Sequence, residues 1–273
     1  MAISLIIPTF NSMRTFRQCL ESAKHQTSPC GEIIVIDRFS QDGLLQFANS
    51  NGATVFQSNT NRSEARNIGL QNVCSEGVLF VDADMILPPM LIEECEQGLE
   101  KHDAIVIPEE SVGVGFWAEC KAAERRLHIG NNSIEAPRCF RRRALLSLGG
   151  YNPQLEAGED WDLLNRAKSK GHSIGRVRAR IIHDEGRLTL PRILEREFFY
   201  GQTFGKYIAT NPHAAFRQVN PVKRIVIPGV TVASRDGLHG IGILILRSLE
   251  FAAAGVGHIV GRREPEVDWR GSK

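Results

Sequence analysis

Val78-Leu79-Phe80-Val81-Asp82-Ala83-Asp84, followed by Met85-Ile86-Leu87-Pro88-Pro89, decides the fold. Four apolar residues ending in two acids read as a buried strand that delivers carboxylates to a sheet edge. In open α/β sheets, ligands bind outside the carboxyl ends of the strands. Two carboxylates one residue apart at that place can hold a hard divalent cation of the kind shared with substrate phosphates. The same pair also reads as solvated acids opening the turn before Pro88-Pro89, because Asp-x-Asp is a short pattern. Its surroundings choose between the two.

Upstream, Ile3-Ser4-Leu5-Ile6-Ile7 is an apolar run stopped by Pro8, and residues 12–25 carry Met13, Phe16, Cys19, Leu20 and Ala23 at helical spacing. Glu32-Ile33-Ile34-Val35-Ile36-Asp37 is a second strand ending in an acid, followed by a helix over 43–50 closed by Asn51-Gly52. A third strand at 54–57, a helix over 63–73, the strand 78–81, a helix over 90–99 and a strand at 104–107 complete the series. Strand and helix alternate, which predicts an α/β fold: a parallel sheet with helices on both faces.

After Pro108 the rhythm changes. Helices are expected over 116–128, 144–148 and 160–170, with a short strand Ile181-Ile182 before His183; from Leu190 onward only helical patterns occur. This predicts a catalytic domain over 1–188 and a helical C-terminal region over 189–273. Ile241-Gly242-Ile243-Leu244-Ile245-Leu246 is strongly apolar, but Arg247, Glu250 and His258 interrupt the segment. A spanning helix wants about 20 consecutive apolar residues, so the expectation is a core helix or one lying on a membrane. Lys223, Arg224, Arg235, Arg262 and Arg263 flank it and suit an anionic surface.

A net charge of +2 over 273 residues gives no reason to expect a nucleic-acid partner. The six cysteines show no C-x-x-C spacing, so neither a zinc ribbon nor a dithiol redox site is expected. Reduced thiols and a cytoplasmic location follow. Met1 to Leu5 runs straight into a strand, without the basic and apolar regions of a signal peptide.

Asp37, Asp82 and Asp84 end strands that share one rim, and Pro8-Thr9-Phe10-Asn11 leaves the first strand there too. The segment Asn61 to Asn67 opens a helix, where free N–H groups favour an anion, and Arg66 can add a bidentate phosphate contact or merely pair with Glu64. Glu159-Asp160 opens another helix after Ala157-Gly158; such acids are often only caps, but an acceptor hydroxyl needs a carboxylate to take its proton. The adjacent Trp161 offers a flat face for a sugar ring. His183 is either a structural residue or the imidazole completing a carboxylate metal site.

Taken together, Ile6-Ile7-Pro8-Thr9-Phe10-Asn11, Val35-Ile36-Asp37 with Ser40-Gln41-Asp42-Gly43, Ala65-Arg66-Asn67-Ile68-Gly69, Asp82-Ala83-Asp84, Phe140 to Tyr151 and Gly158-Glu159-Asp160-Trp161-Asp162 carry a resemblance. Over residues 1–185 the chain resembles the family 2 glycosyltransferases, nucleotide-sugar enzymes with the mostly parallel, Rossmann-like GT-A fold. The resemblance implies that Asp37 reads the nucleotide base, with Pro8, Thr9 and Asn11 beside it. It implies that Asp82, with Ala83, contacts the ribose or metal. Asp84 would bind Mg²⁺ or Mn²⁺ on the diphosphate, His183 would reach the same metal, and Asp160 would act as base with Glu159 beside it. Arg38-Phe39 departs from the family pattern, which leaves the nucleotide open.

The expected activity is sugar transfer from a nucleoside-diphosphate sugar to a hydroxyl acceptor, lipid-linked or a glycan precursor, under a lid formed by 109–116 or 183–187. A sugar-phosphate nucleotidyltransferase would carry a basic glycine-rich loop after the first strand, and Pro8 to Asn11 is not one. A non-catalytic nucleotide-sugar or glycan-binding protein would need no base at Asp160 together with a metal acid at Asp84.

Overall fold

The computed structural model describes residues 1–261; the expected pair Arg262-Arg263 lies outside them. β1 (Ile3–Thr9), α1 (Met13–Lys24), β2 (Ile33–Asp37), α2 (Leu44–Ser50), β3 (Thr54–Gln57) and α3 (Arg62–Asn72) alternate as expected. β4 (Gly77–Phe80) turns through the acids into β5 (Met85–Ile86), followed by α4 (Leu91–Lys101) and β6 (Ala104–Val106). Next come β7 (Glu109–Val114), α5 (Phe116–His128), β8 (Pro137–Arg141), α6 (Arg142–Ser147), α7 (Glu159–Ser169), β9 (Ile174–Arg176) and β10 (Ile181–Arg187). The C-terminal part holds α8 (Leu190–Thr210), α9 (Pro212–Gln218), a π-helical turn (Val222–Val226), α10 (Ile227–Ala233) and α11 (Gly237–Gly261).

The main sheet runs β3-β2-β1-β4-β8-β6-β9, and β5-β10-β7 form a second, smaller one. The main sheet is parallel except at β8, which enters antiparallel between β4 and β6. β8 had no expected counterpart, because Arg138 and Arg141 break up its apolar content. β7 corrects a second expectation. Of residues 109–116, read as a glycine-rich lid, 109–114 form a strand paired with β10 and 115–116 open α5, and the other lid candidate, 183–187, is part of β10 itself. Gly113 serves closeness rather than freedom: a Cβ there would stand 2.8 Å from the Gly186 carbonyl oxygen.

β1 also continues through Pro8, where the sequence suggested a stop. Even-numbered residues of β1 face β4, as the bond from Val81 N–H to the Ile6 carbonyl shows, and the β1–β4 register ends at Ile6–Phe80. The missing N–H of Pro8 therefore falls where no partner strand remains.

Alternation along the strands builds two cores. Leu5, Ile7, Val35 and Leu79 pack with Phe16 and Leu20 of α1, Leu44 of α2 and Leu91 of α4. Ile6, Ile34, Val78 and Phe80 pack on the opposite face with Leu70 of α3, Leu145 of α6 and Leu163 of α7. α3 lies so close to β1 that a Cβ on Gly69 would stand 2.3 Å from Ile6 Cγ2.

The C-terminal helices share a third cluster with α5, in which Cys120 meets Ile193, Ile243 and Leu246. α8 and α11 touch backbone to backbone, since a Cβ on Gly201 would lie 2.0 Å from the Ala254 oxygen. By length and composition alone α11 is apolar enough to cross a membrane, with a mean hydropathy of 1.6 and 22% of the apolar window buried. The interruption inferred from Arg247 and Glu250 is thus not one along the outer face. Both side chains turn inward to Glu124 and Lys121, while Leu238, Ile241, Ile245, Leu249, Val256 and Ile259 stay exposed.

Gly69→Ala is expected to overpack the α3–β1 contact and lower stability by about 1–3 kcal/mol. Urea unfolding followed by circular dichroism checks this; an unchanged midpoint would mean that α3 can move away from β1 freely.

Candidate functional site

The turn between β4 and β5 places the acids. The Met85 N–H donates to the Asp82 carbonyl at 3.0 Å, closing the turn. β5 pairs antiparallel with β10 in a register that sets Met85 opposite His183, and the Asp184 N–H donates to the Asp84 carbonyl at 2.8 Å. This backbone pairing brings His183 Nε2 to 3.1 Å from Asp84 Oδ2. The other oxygen, Asp84 Oδ1, is buried without a hydrogen-bond partner.

On its far side His183 meets the rim of β7: Nδ1 lies 3.6 Å from Glu109 Oε2 and 2.9 Å from Arg125 Nη1. Burial works to lower the imidazole pKa, but hydrogen bonds to Asp84 and Glu109 outweigh it and raise the value to about 10. Among the described residues no group of three or more His, Cys, Asp or Glu side chains stands ready to hold a metal. Two protein donors with an unpartnered carboxylate oxygen nevertheless fit Mg²⁺ or Mn²⁺, which commonly takes one or two carboxylates and completes its shell with phosphate and water.

Asp82 is held differently. Arg66 reaches its Oδ1 at 2.9 Å and Arg138 its Oδ2 at 3.2 Å. Burial pushes the carboxyl up, yet Arg138, Arg66 and Arg62 together keep it well below the usual carboxylate range. Arg66 also reaches Asp160 Oδ1 at 3.0 Å and lies over the Tyr151 ring at 4.8 Å. Of the two roles read for it, a phosphate contact or an ion pair, the structure shows ion pairs, on a side chain with 0% exposure. Here it ties the β4 acid to the α7 acid.

α3 is aimed by its cap: Asn61 accepts from the Glu64 N–H at 2.9 Å while the Glu64 carboxylate returns to the Asn61 N–H. That start fixes the buried face on which Ser63, Arg66 and Leu70 lie. α7 begins at Gly158 with φ +79°, a left-handed position where the Tyr207 ring would also crowd a side chain. Of the two acids after it, Glu159 is 3% exposed and paired with Arg62 at 2.5 Å. Burial raises its pKa. Asp160 is 30% exposed. The pair therefore separates, with Asp160 facing outward and Glu159 acting as an inner anchor for the arginines.

Asp160 and Trp161 line a cavity of ≈ 680 Å³ between β7, α5 and α7 on one side and α8 and α11 on the other. That volume suits a small-molecule site. The Trp161 N–H donates to the Ile134 carbonyl at 2.8 Å, which fixes the indole beside Phe204.

The first-strand residues gather elsewhere on the rim. Asp37 has 0% exposure, and its carboxylate accepts from Thr9, Ser40 and Gln57. Its expected base contact is thus occupied by this chain's own donors. Asn11, at φ +45°, accepts from the Gln41 N–H at 2.8 Å, knitting the loop after Pro8 and Thr9 to the loop after β2. Phe10 and Phe39 are exposed above this loop pair. The Ala83 side chain packs into the core, which leaves its backbone at the rim.

Glu109, Arg125 and Arg138 were missed. Glu109 accepts from Arg138 at 2.5 Å and Arg125 at 2.7 Å and joins the His183 side of the site to the Asp82 side. An acid directly after the apolar run 104–107 and Pro108 was a legible signal, of the same kind as Asp37 and Asp82.

The sequence profile described as glycosyl transferase family 2 matches residues 4–147. An uncharacterised glycosyltransferase of Haemophilus influenzae is 28% identical over 177 residues, 59% of this chain and 60% of its own length. The poly(ribitol-phosphate) β-N-acetylglucosaminyltransferase TarS of Staphylococcus aureus is 30% identical over 123 residues, 42% of this chain and 22% of its own. The chain thus spans less than two thirds of the length of these relatives. TarS 1–349 solved with UDP-GlcNAc shares the fold at a TM-score of 0.58 and 17% identity, over 96% of this chain and 92% of that one. The mannosyltransferase PcManGT of Pyrobaculum calidifontis, solved with GDP-Man and Mn²⁺, does so at 0.60 and 17%, over 94% and 86%.

If His183 ligates a metal, the ion must displace the proton that His183 carries below about pH 10. Mn²⁺ affinity should then rise from about pH 6 to pH 8, with close to ~1 proton released per ion. Calorimetry in buffers of different ionisation enthalpy reads this directly, and a pH-independent affinity would remove His183 from the metal set.

Proposed function

Because the chain belongs to glycosyl transferase family 2, we propose that it moves a sugar from a nucleoside-diphosphate sugar to a hydroxyl acceptor with inversion at the anomeric carbon. The observation that carries the reading is the half-buried carboxylate of Asp160 on the cavity wall, joined through buried Arg66 to Asp82 of the β4 turn. The donor diphosphate would lie at the strand ends near Asp84 and His183, with the nucleotide towards Pro8, Thr9, Asn11 and Asp37. Asp84 and His183 would hold Mg²⁺ or Mn²⁺, which supplies positive charge against the departing nucleoside diphosphate.

Asp160 accepts the proton of the acceptor hydroxyl as its oxygen attacks the anomeric carbon. The new C–O bond forms on the face opposite the diphosphate as the old one breaks, so a single displacement inverts the centre. Arg66 holds Asp160 towards the acceptor and Asp82 towards the donor from one guanidinium. Trp161 gives the acceptor a flat apolar wall. TarS was solved with UDP-GlcNAc and PcManGT with GDP-Man, so both nucleotides belong in a donor screen. A non-catalytic nucleotide-sugar-binding protein would leave Asp160 without a task.

The C-terminal helices favour an acceptor at a membrane surface. Val222, Val226, Ile227 and Val230 continue the exposed apolar face of α11, and Lys223 and Arg235 stand beside it. Such a face suits peripheral docking on an anionic bilayer, where each basic residue adds about 1 kcal/mol.

Asp160→Asn keeps the shape but removes the proton acceptor, so turnover should fall by about 10²–10⁴ with donor affinity little changed. A variant keeping most of its turnover would move the base elsewhere, and a product of retained configuration, read by NMR, would rule out single displacement.

Ile241→Glu with Ile245→Glu should release the chain from phosphatidylglycerol vesicles in co-sedimentation, while the unaltered chain pellets with them. Equal partitioning would mean that α10 and α11 meet a protein partner or water.

A further inference from the structure

The cations that line the cavity are paired with acids, and one of them is left over. Lys121 pairs with Glu250 at 3.1 Å, Arg247 with Glu124 at 2.6 Å, Arg125 with Glu109 at 2.7 Å, and Arg62 with Glu159 at 2.5 Å. Arg138 is likewise tied to Glu109 and Asp82. Among the described residues, Arg224 is the cation of this wall that makes no ion pair. It sits in the middle of the π-helical turn, and its guanidinium has one polar neighbour, His128 Nε2 at 3.4 Å.

That neighbour is contested. His128 Nε2 also lies 3.2 Å from Glu124 Oε1. One ring nitrogen either donates to Glu124 or accepts from Arg224. Burial and then Arg247 disfavour the charge of Arg224, lowering its pKa despite Glu124, Glu250 and Glu197. The guanidinium therefore faces the cavity with most of its N–H donors unused. A planar fork of donors in a partly desolvated wall matches a phosphate or carboxylate.

We propose that Arg224 forms an oxyanion subsite in the acceptor cavity, so that the hydroxyl acceptor carries a phosphate or carboxylate group which this guanidinium binds. The inference rests on the reading of Asp160 as the base of the same cavity. The apolar wall made by Phe204, Phe251 and Ala254 flanks this position, so the anion can belong to a lipid headgroup or to a soluble phosphorylated polyol. The shared chemistry is the oxyanion.

The test uses the full chain, titrated by calorimetry with sn-glycerol 3-phosphate and with glycerol, and by co-sedimentation with phosphatidylcholine vesicles with and without phosphatidic acid. Arg224→Gln should weaken one of the two phosphate probes by about tenfold or more, as expected for losing charge-assisted bonds. Arg224→Lys should restore part of that affinity. Lys223→Gln, an exposed neighbour absent from the cavity wall, should leave the affinity for glycerol 3-phosphate unchanged. Loss with glycerol 3-phosphate identifies a soluble acceptor, and loss confined to the vesicles identifies a lipid. Phosphate held at the donor rim is insensitive to all three substitutions.

Removing an uncompensated charge should leave the melting temperature unchanged or higher. A fall of several degrees in Arg224→Gln would assign the residue a structural role and overturn the proposal. So would equal binding by the variant and the unaltered chain, or equal binding of glycerol. A thermal-shift screen of the unaltered chain with UDP-GlcNAc or GDP-Man and Mn²⁺ separates the two readings. No response there counts against sugar transfer, while the Arg224 comparison still reports on the oxyanion subsite.

Discussion

Arg66 has no exposed surface, yet it carries a full charge between Asp82 and Asp160. Burying an ion costs several kcal/mol unless partners surround it, so this guanidinium constrains everything that touches it. β4 has to end where it does, α7 has to start where it does, and α3 has to lie against β1 closely enough to reach both. Gly69 permits the last of these by leaving room for Ile6. Arg138 repeats the device one step outward, bridging Asp82 and Glu109. The two arginines make the acids of β4, β7 and α7 into one connected body.

Rigidity of this kind has a chemical consequence. A base and a leaving-group site need a fixed separation if attack and departure are to lie in line, and misplacement by about 1 Å can slow a reaction by 10²-fold. Asp84 is left out of the arginine network. It is placed instead by backbone pairing, since β5 and β10 set Met85 against His183 and thereby Asp84 beside the imidazole. Asp84 is thus held by the sheet, whereas Asp82 is held by two cations.

The strands β1, β2, β4 and β6 were legible because both of their faces are buried, which forces continuous apolar runs, and the edge strand β3 by Val55-Phe56 after the Asn51-Gly52 stop. β7 and β8 were not. Ser111-Val112-Gly113-Val114 lies on the small sheet with one face exposed, and β8 flanks its core residues Cys139 and Phe140 with Arg138, which reaches the site, and Arg141, which bonds the His102 and Glu100 carbonyls. The rim acids Asp82, Asp84 and Asp160 could be read from their places at strand and helix ends. The arginines that hold them could not: residue type and helical phase place Arg66 on the inner face of α3, but which carboxylates meet it depends on strands far away in the chain. Asp37 shows the converse, an acid in the expected place whose oxygens are occupied by Ser40, Gln57 and Thr9.

α11 reverses the order found in a soluble amphipathic helix, where the apolar stripe faces the core. Its inner face carries Arg247 and Glu250 beside Ile243 and Leu246, and its outer face carries Ile241, Ile245 and Leu249. Read along the sequence, the charges interrupt an apolar run; read around the helix, they leave one side unbroken. The inner charges are accounted for by Glu124 and Lys121 across the cavity, which fixes the helix as a wall of that cavity. Among the described residues, the outer side chains have no such partner. An apolar surface of this extent needs a cover, and the same rotation that would press it on a bilayer keeps the charged wall turned towards Asp160.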